Sequence, residues 1–366
     1  MSLPDVNYWD YLRLPDLLKL QGGLENNENK MSEDELSFIV IHQVFELWFK
    51  LAIREITLAT ERMSQNKVDE ELIPYVVHHL RRVNTILESA IKHFDLMETL
   101  TPQDFLVFRA KLGTASGFQS FQLRQLEVLL GLDEAQRNKY GHGNPLKYIY
   151  KTAESSDSGS QIQSNLDKSL QSVTLRDAIH KWLQRTPIDG SSPSDQKDAD
   201  NVRHFIENYL SKLQKMNDEQ ISKFGDSSEL EAIKQRFDAS FQASKSFIMA
   251  SDIAEGDRTR VSRIRTAILF IESYRELPLL SWPRVLIDTV VQLEELFVTF
   301  RFRHARMVER IIGRRVGTGG SSGVDYLDET TKYRVFPELW EVRTILVPKE
   351  NLPELKNSQF YQFSSM

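Results

Sequence analysis

Apolar residues recur along most of the chain at spacings of three and four. In SEDELSFIVIHQVFELWFKLAIREITLATERM, the positions Phe38, His42, Phe45, Phe49, Ala52 and Ile56 fall on one stripe. From about Trp282 to Ile312 the same spacing selects Leu286, Val290, Leu293, Phe297, Phe300, His304, Met307 and Ile311. Such spacing lays side chains along one face of an α-helix. No convincing stretch alternates as a half-buried strand does. The pattern therefore predicts an all-α fold, a helical bundle. Ser32, with Glu35 three residues on, reads as a capping box that opens the first long helix. A second helix is predicted over roughly residues 70–97. TPQDFLVFRAKL starts with Thr101 as N-cap, Pro102 at the first helical position and Asp104 in the first turn, where its charge suits the helix dipole. SFQLRQLEVLLGL is a further amphipathic segment that ends at Gly131. The polar stretches KTAESSDSGSQIQSNLDK and RTPIDGSSPSDQKDAD are expected to be loops. Charged helical segments between about 196 and 250 read as a peripheral helical insertion, placed at about 185–258 within a single domain spanning 1–366. The last long helix should stop at Gly313, and the Pro-punctuated chain beyond Gly323 is expected to be irregular.

Composition narrows the function classes. A hydrophobic fraction of 40% and 20 Phe can fill a sizeable core. The net charge of −6 argues against nucleic acid as a partner, because phosphate binding needs a basic face. RFRHARMVERIIGRR is rich in arginine, yet it reads as a solvated helix face. The absence of cysteine removes disulfides, thiolate nucleophiles, Cys-based zinc sites, iron–sulfur clusters and covalently attached haem. It fits a cytoplasmic location. The N-terminus MSLPDVNYWDYLRLPDLLKL has no basic region followed by an apolar core, so no signal peptide is expected. No apolar run approaches the roughly 18 residues of a membrane span, so no membrane partner is expected.

Each long stripe is apolar except for one imidazole, His42 in the first and His304 in the second. Two readings are open for each. One is a core histidine satisfied by a backbone carbonyl. The other is a ligand or hydrogen-bonding group in an apolar cavity. Haem iron suits the second, since a neutral imidazole binds it axially and aromatic walls bury the macrocycle. Zinc suits it less, because neither helix carries a second ligand at short spacing. The other histidines, His78 and His79 among them, sit among charged residues and are expected to be exposed. The glycine-rich GTGGSSG, residues 317–323, follows a helix and lacks the Lys-Ser/Thr of a phosphate loop. A flexible linker and a loop that closes over a ligand both remain.

The segments YWDYL, FIVIHQVFELWFK, METLTPQDFLVFRAKLGTASGFQS, WLQRTP, SYRELP, RHARMVERIIG and VGTGGSSG together resemble the tryptophan 2,3-dioxygenase family over most of the chain. KWLQRTP and the total length look like the longer, eukaryotic-type members. The resemblance implies a haem enzyme that opens the indole ring of L-tryptophan with O₂ to give N-formyl-L-kynurenine. It implies haem b, one per subunit, and a cytoplasmic homotetramer built as a dimer of dimers. By motif, His304 aligns with the proximal haem ligand and His42 with the distal histidine facing the indole N–H. Phe38 and Phe105 align with aromatic walls of the pocket. Arg109 aligns with the arginine that pairs with the substrate carboxylate, and Ser116 with a small polar residue above the haem. Thr318 aligns with the loop threonine that binds the amino-acid group. Tyr8 and Tyr11 align with tyrosines that reach into a neighbouring subunit's site. Two positions depart from the common pattern: Phe300 stands where a tryptophan is frequent, and Phe45 where Tyr, Thr or Ser is frequent. The wider superfamily also holds haem-dependent monooxygenases of indole or tyrosine derivatives, which is the alternative reading.

Overall fold

A computed structural model describes residues 6–69, 71–137, 144–225, 229–318 and 323–363. Among them the fold is all-α, with a single isolated bridge between Ile188 and Ser191 and no named strand. The helices longer than one or two turns are α1 (Glu33–Met63), α2 (Leu72–Met97), α3 (Pro102–Arg109), α4 (Phe121–Leu130), α5 (Pro145–Ala153), α6 (Gly159–Gln171), α7 (Leu175–Arg185), α8 (Asp198–Ser222), α9 (Leu230–Ile248), α10 (Glu255–Ser273), α11 (Ser281–Ile312), α12 (Val324–Thr330) and α13 (Pro337–Ile345). The chain forms two compact units. One comprises residues 1–55, 82–172 and 295–333, and the other 56–81, 173–294 and 334–366. The segment about 185–258 belongs wholly to the second.

The caps form much as the residues dictate. The Thr101 side chain accepts from the Asp104 amide at 3.2 Å, and Gly131 ends α4 in the left-handed region at φ 100°. The capping box at α1 is only half made. The Ser32 amide donates to Glu35 Oε2 at 3.3 Å, but Ser32 Oγ is buried without a partner. Glu35 is drawn into a second role, a 2.9 Å ion pair with Lys111.

Both apolar stripes pack as their spacing requires. In α11 every selected position is buried except His304, and in α1 Phe45, Phe49, Ala52 and Ile56 are buried. Each buried Leu, Ile, Val, Phe or Met among them contributes about 1.5–3 kcal/mol by leaving water.

Three expectations are corrected. KTAESSDSGSQIQSNLDK is largely helical: α5 and α6 form an antiparallel pair whose Leu146, Ile149 and Leu166 pack on Val128. Serine and glutamine hide this in the sequence, because only one residue per turn or two of α6 has to be apolar. Beyond Gly323 the chain forms α12 and α13, short helices started by Gly323 and by Pro337 at the first helical position. His79 is buried against the Tyr75 ring at 4.3 Å, and His180 is bonded to Glu338, so neither is an exposed histidine. By length and mean hydropathy alone α1 is long and apolar enough to cross a membrane, a test that the core helix of a soluble protein also passes; its apolar run is broken by His42, Gln43, Glu46 and Lys50.

Candidate active site

The first unit encloses a cavity of about 520 Å³. Helix α1 supplies Phe38, His42 and Glu46 to its wall, α3 supplies Phe105 and Arg109, and the turn after α3 supplies Ala115 and Ser116. Arg124 comes from α4, and His304, Met307 and Ile311 come from successive turns of α11. The glycine-rich loop adds Gly317, Thr318 and Gly323. Seven of the residues singled out in the sequence therefore meet on one cavity. They are Phe38, His42, Phe105, Arg109, Ser116, His304 and Thr318.

His42 shows how helix geometry sets chemistry. Its Nδ1 lies 2.7 Å from the carbonyl of Phe38, one turn back in α1. A carbonyl can only accept, so Nδ1 carries the proton and Nε2 keeps its lone pair. Burial lowers the pKa, outweighing the opposing pull of that carbonyl and of Glu46. His42 is thus a neutral acceptor at neutral pH. The Phe38 ring lies 4.1 Å from the imidazole and 5.9 Å from Phe105, giving the same side an aromatic lining.

His304 differs. Among the described residues its ring makes no hydrogen bond. It is held by packing, nearly parallel to Phe94 (14°, centroids 5.9 Å apart) and 6.3 Å from Phe300. Burial is the main cause that lowers its pKa to about 4, with repulsion from His42 once that is protonated and from Arg124 adding to it. It is therefore an unprotonated imidazole with free nitrogens on an apolar wall, which is what a metal ligand requires. Phe300 and Phe45 belong to the same aromatic group, 6.0 Å apart, with Phe49 and Phe94 beside them. Phenylalanine at both positions leaves this group without a polar atom.

Opposite in character is a buried ionic cluster that the sequence reading did not single out. Glu127 accepts from Arg124 Nη1 at 2.8 Å and from Arg301 Nη2 at 3.1 Å. All three side chains are less than a tenth exposed. Burial raises the Glu127 pKa, but Arg124, Arg301 and Arg137 together outweigh it and hold the carboxyl below its ordinary range. Positive charge is in excess here. Arg124 lines the cavity, and its Nε is buried without a partner. One sequence signal existed: Arg124 and Glu127, three apart, are the only charges in the largely apolar stretch LRQLEVLL.

The loop residues are placed by backbone contacts. Arg109 Nη2 donates to the Val316 carbonyl at 2.6 Å, and the Thr318 hydroxyl donates to the Ala115 carbonyl. Ser116 caps a single 3-10 turn, accepting from the Phe118 amide at 3.3 Å. Gly323 has φ 64°, and a Cβ there would lie 2.8 Å from the Arg315 carbonyl oxygen. That position requires glycine, which accounts for the last residue of the motif. Gly319, Gly320, Ser321 and Ser322 lie outside the described residues. Tyr8 and Tyr11 are not brought to this cavity. They are 70% and 77% exposed on a single helical turn, with Trp9 exposed between them.

Comparison with known proteins settles the family. The sequence profile of tryptophan 2,3-dioxygenase matches residues 2–346. The chain belongs to the tryptophan 2,3-dioxygenase family. A tryptophan 2,3-dioxygenase of Sorangium cellulosum is 44% identical, covering 98% of this chain and 88% of its own length. A protein of Ralstonia nicotianae named tryptophan 2,3-dioxygenase 2 is 42% identical over 98% of both chains. A tryptophan 2,3-dioxygenase of Dictyostelium discoideum is 33% identical, covering 96% of this chain and 86% of its own. The length first read as eukaryotic-type is thus shared with bacterial members of the tryptophan 2,3-dioxygenase family. The cavity's residues fall within the matched span.

Proposed function

We infer that this chain is a tryptophan 2,3-dioxygenase that opens the indole ring of L-tryptophan with O₂ and yields N-formyl-L-kynurenine. The observation that carries this reading is the convergence of two neutral histidines, the fork-shaped cation of Arg109 and Thr318 on one aromatic-walled cavity.

The residues lining the cavity suit a haem, proposed to be haem b at one per subunit. His304, a neutral imidazole without a hydrogen bond among the described residues, would hold the haem iron. Arg124, with an orphaned buried Nε, offers a cation to an acidic edge of the macrocycle. Haem, when bound, supplies the iron chemistry that makes O₂ reactive toward the indole C2=C3 bond, and both oxygen atoms end in the product.

The chain's own residues bind and orient. Arg109 takes the substrate carboxylate with its planar fork, exchanging its bond to the Val316 carbonyl for two charge-assisted ones. The Thr318 hydroxyl, now on the Ala115 carbonyl, serves the amino-acid group. Phe38 and Phe105 confine the indole, and Nε2 of His42 accepts its N–H. Ser116 lines the same chamber. Holding the reacting bond in one pose is positioning catalysis. Loop closure excludes water.

The exposed Tyr8, Trp9, Tyr11 and Leu12 support a homotetramer, a dimer of dimers, in which Tyr8 and Tyr11 reach a neighbouring subunit's site. A large apolar surface on a monomer marks an association site. Val40, Leu47 and Leu51 of α1 are also exposed and offer a receiving surface. A cytoplasmic location belongs to the same proposal, supported by the lack of cysteine.

Mass analysis of the product formed under ¹⁸O₂ tests the reaction. Two labelled atoms per product molecule are expected. One labelled atom would assign the chain to the monooxygenase reading.

A further inference from the structure

The second unit holds a groove of about 650 Å³ between α8, α9 and α10. Its floor is one face of α8, where Val202, Ile206 and Leu210 follow one another at intervals of four and are buried. Phe241 and Met249 of α9 add to it, and Met249 is left 40% exposed. The rim is charged. Arg203, Lys245 and Arg258 stand on three different helices around this apolar floor.

Two carboxylates also line the groove, and only one is available. Asp198 accepts from Arg263 Nη1 at 2.6 Å and from Ser191 Oγ at 2.9 Å. Arg263 in turn donates to the carbonyls of Gln184 and Thr186, so this pair is structural. Glu207 alone remains to face three cations. Among the described residues, the side chains of Arg203 and Lys245 make no hydrogen bond or ion pair. Arg258 makes only a 3.3 Å bond to the Ile253 carbonyl.

We propose that this groove binds a small organic anion with an apolar body: a carboxylate or sulfonate on an aromatic or short aliphatic frame. The anionic head sits among Arg203, Lys245 and Arg258, and the frame lies on Val202, Ile206, Leu210 and Phe241. Three arguments select this class. The size suits a small molecule. The apolar floor rejects a fully hydrated ion such as free phosphate, which has no surface to bury there. The excess of positive charge rejects a cationic amphiphile of the same shape. The site lies wholly in the second unit, so the proposal does not rest on the reading of the first unit's cavity.

The test is calorimetric titration of the haem-loaded, full-length protein with 8-anilinonaphthalene-1-sulfonate, octanoate and octylammonium. Saturable binding of the sulfonate at one molecule per chain is expected, with octanoate competing and octylammonium not. The double variant Arg203→Glu/Arg258→Glu should weaken the sulfonate at least about tenfold, the loss of one charge-assisted hydrogen bond of about 1.5 kcal/mol. Phe241→Ala should weaken it as well. Both arginines are exposed, so an unchanged melting temperature and haem content will show that the variants fold. Arg109→Ala, which alters the first unit's cavity, should leave the binding intact. Absence of saturable binding, indifference to the charge reversal, equal binding of octylammonium, or loss of binding in Arg109→Ala would each overturn the proposal.

Discussion

Replacing Glu127 by glutamine should destabilise the protein far more than its single lost charge suggests. Glutamine keeps the shape and one acceptor oxygen. Among the described residues it removes the only carboxylate bonded to Arg124 and Arg301, both of them buried. Breaking a buried pair by removing one partner costs about 3–5 kcal/mol. At 1.36 kcal/mol per decade, the unfolding equilibrium shifts by about two to four decades. Guanidinium unfolding followed by circular dichroism, at fixed subunit concentration and matched haem content, measures it. The control is Asp257→Asn, whose partner Arg260 lies 3.1 Å away on an exposed surface. Such a pair contributes about 0.2–1 kcal/mol. The difference between wild type and Glu127→Gln should also depend on pH. The folded Glu127 pKa is depressed, so its contribution is complete above the unfolded value of about 4.3 and is lost as pH falls through the lower folded value. A difference within about 1 kcal/mol at pH 7, equal to the Asp257→Asn control, would refute the account of a buried charge cluster.

Four further outcomes follow from the site. His304→Ala should lose most bound haem, read from the Soret absorbance per chain; wild-type stoichiometry with an unchanged ferrous spectrum would remove His304 as the ligand. Arg109→Lys should lower kcat/KM for tryptophan by about ten- to a hundredfold, because a charge-assisted bond is worth about 1.5–3 kcal/mol, while 3-methylindole, which has no carboxylate, should be little affected. The His42 pKa is lowered, so tryptophan affinity should hold from pH 8 down to 6.5 and fall only below that, with the acid limb absent in His42→Gln; a limb centred above 6.5 would contradict a neutral acceptor. A chain lacking residues 1–12, co-assembled with a full-length Arg109→Ala chain, should regain active sites that neither parent has, and mass-verified mixed oligomers without such recovery would return Tyr8 and Tyr11 to simple packing.

The sequence exposed those parts of the molecule whose periodicity is unbroken. Two stripes of α1 and α11 are legible because nearly every turn contributes one large apolar residue, and a lone histidine in such a stripe is conspicuous. The same logic fails for α6, where Leu166 and a few small or polar neighbours bury enough to hold a helix. It fails again at the ionic cluster. Arg124, Glu127 and Arg301 look like ordinary surface charges until folding brings together Glu127 and Arg301, 174 positions apart. The tautomer of His42 is likewise a product of backbone geometry, since any helix places a carbonyl one turn back. Motif resemblance, not periodicity, brought Arg109, Ser116 and Thr318 into view, and the cavity then gathers them.

The division of the first unit into three separated stretches of sequence has a consequence for biosynthesis. The ribosome delivers residues 82–172 early, then makes 173–294, all of which belong to the second unit, before it supplies the segment holding His304. Domains fold as they emerge, but this one is missing a wall throughout that interval. On the proposed role of His304, haem capture would wait for the last stage of translation or for the released chain. Until then the stripe of α1 that α11 will cover stays open, a nascent surface suited to chaperone binding. Slowing synthesis across residues 173–294 would lengthen that exposure without altering a single atom of the finished protein.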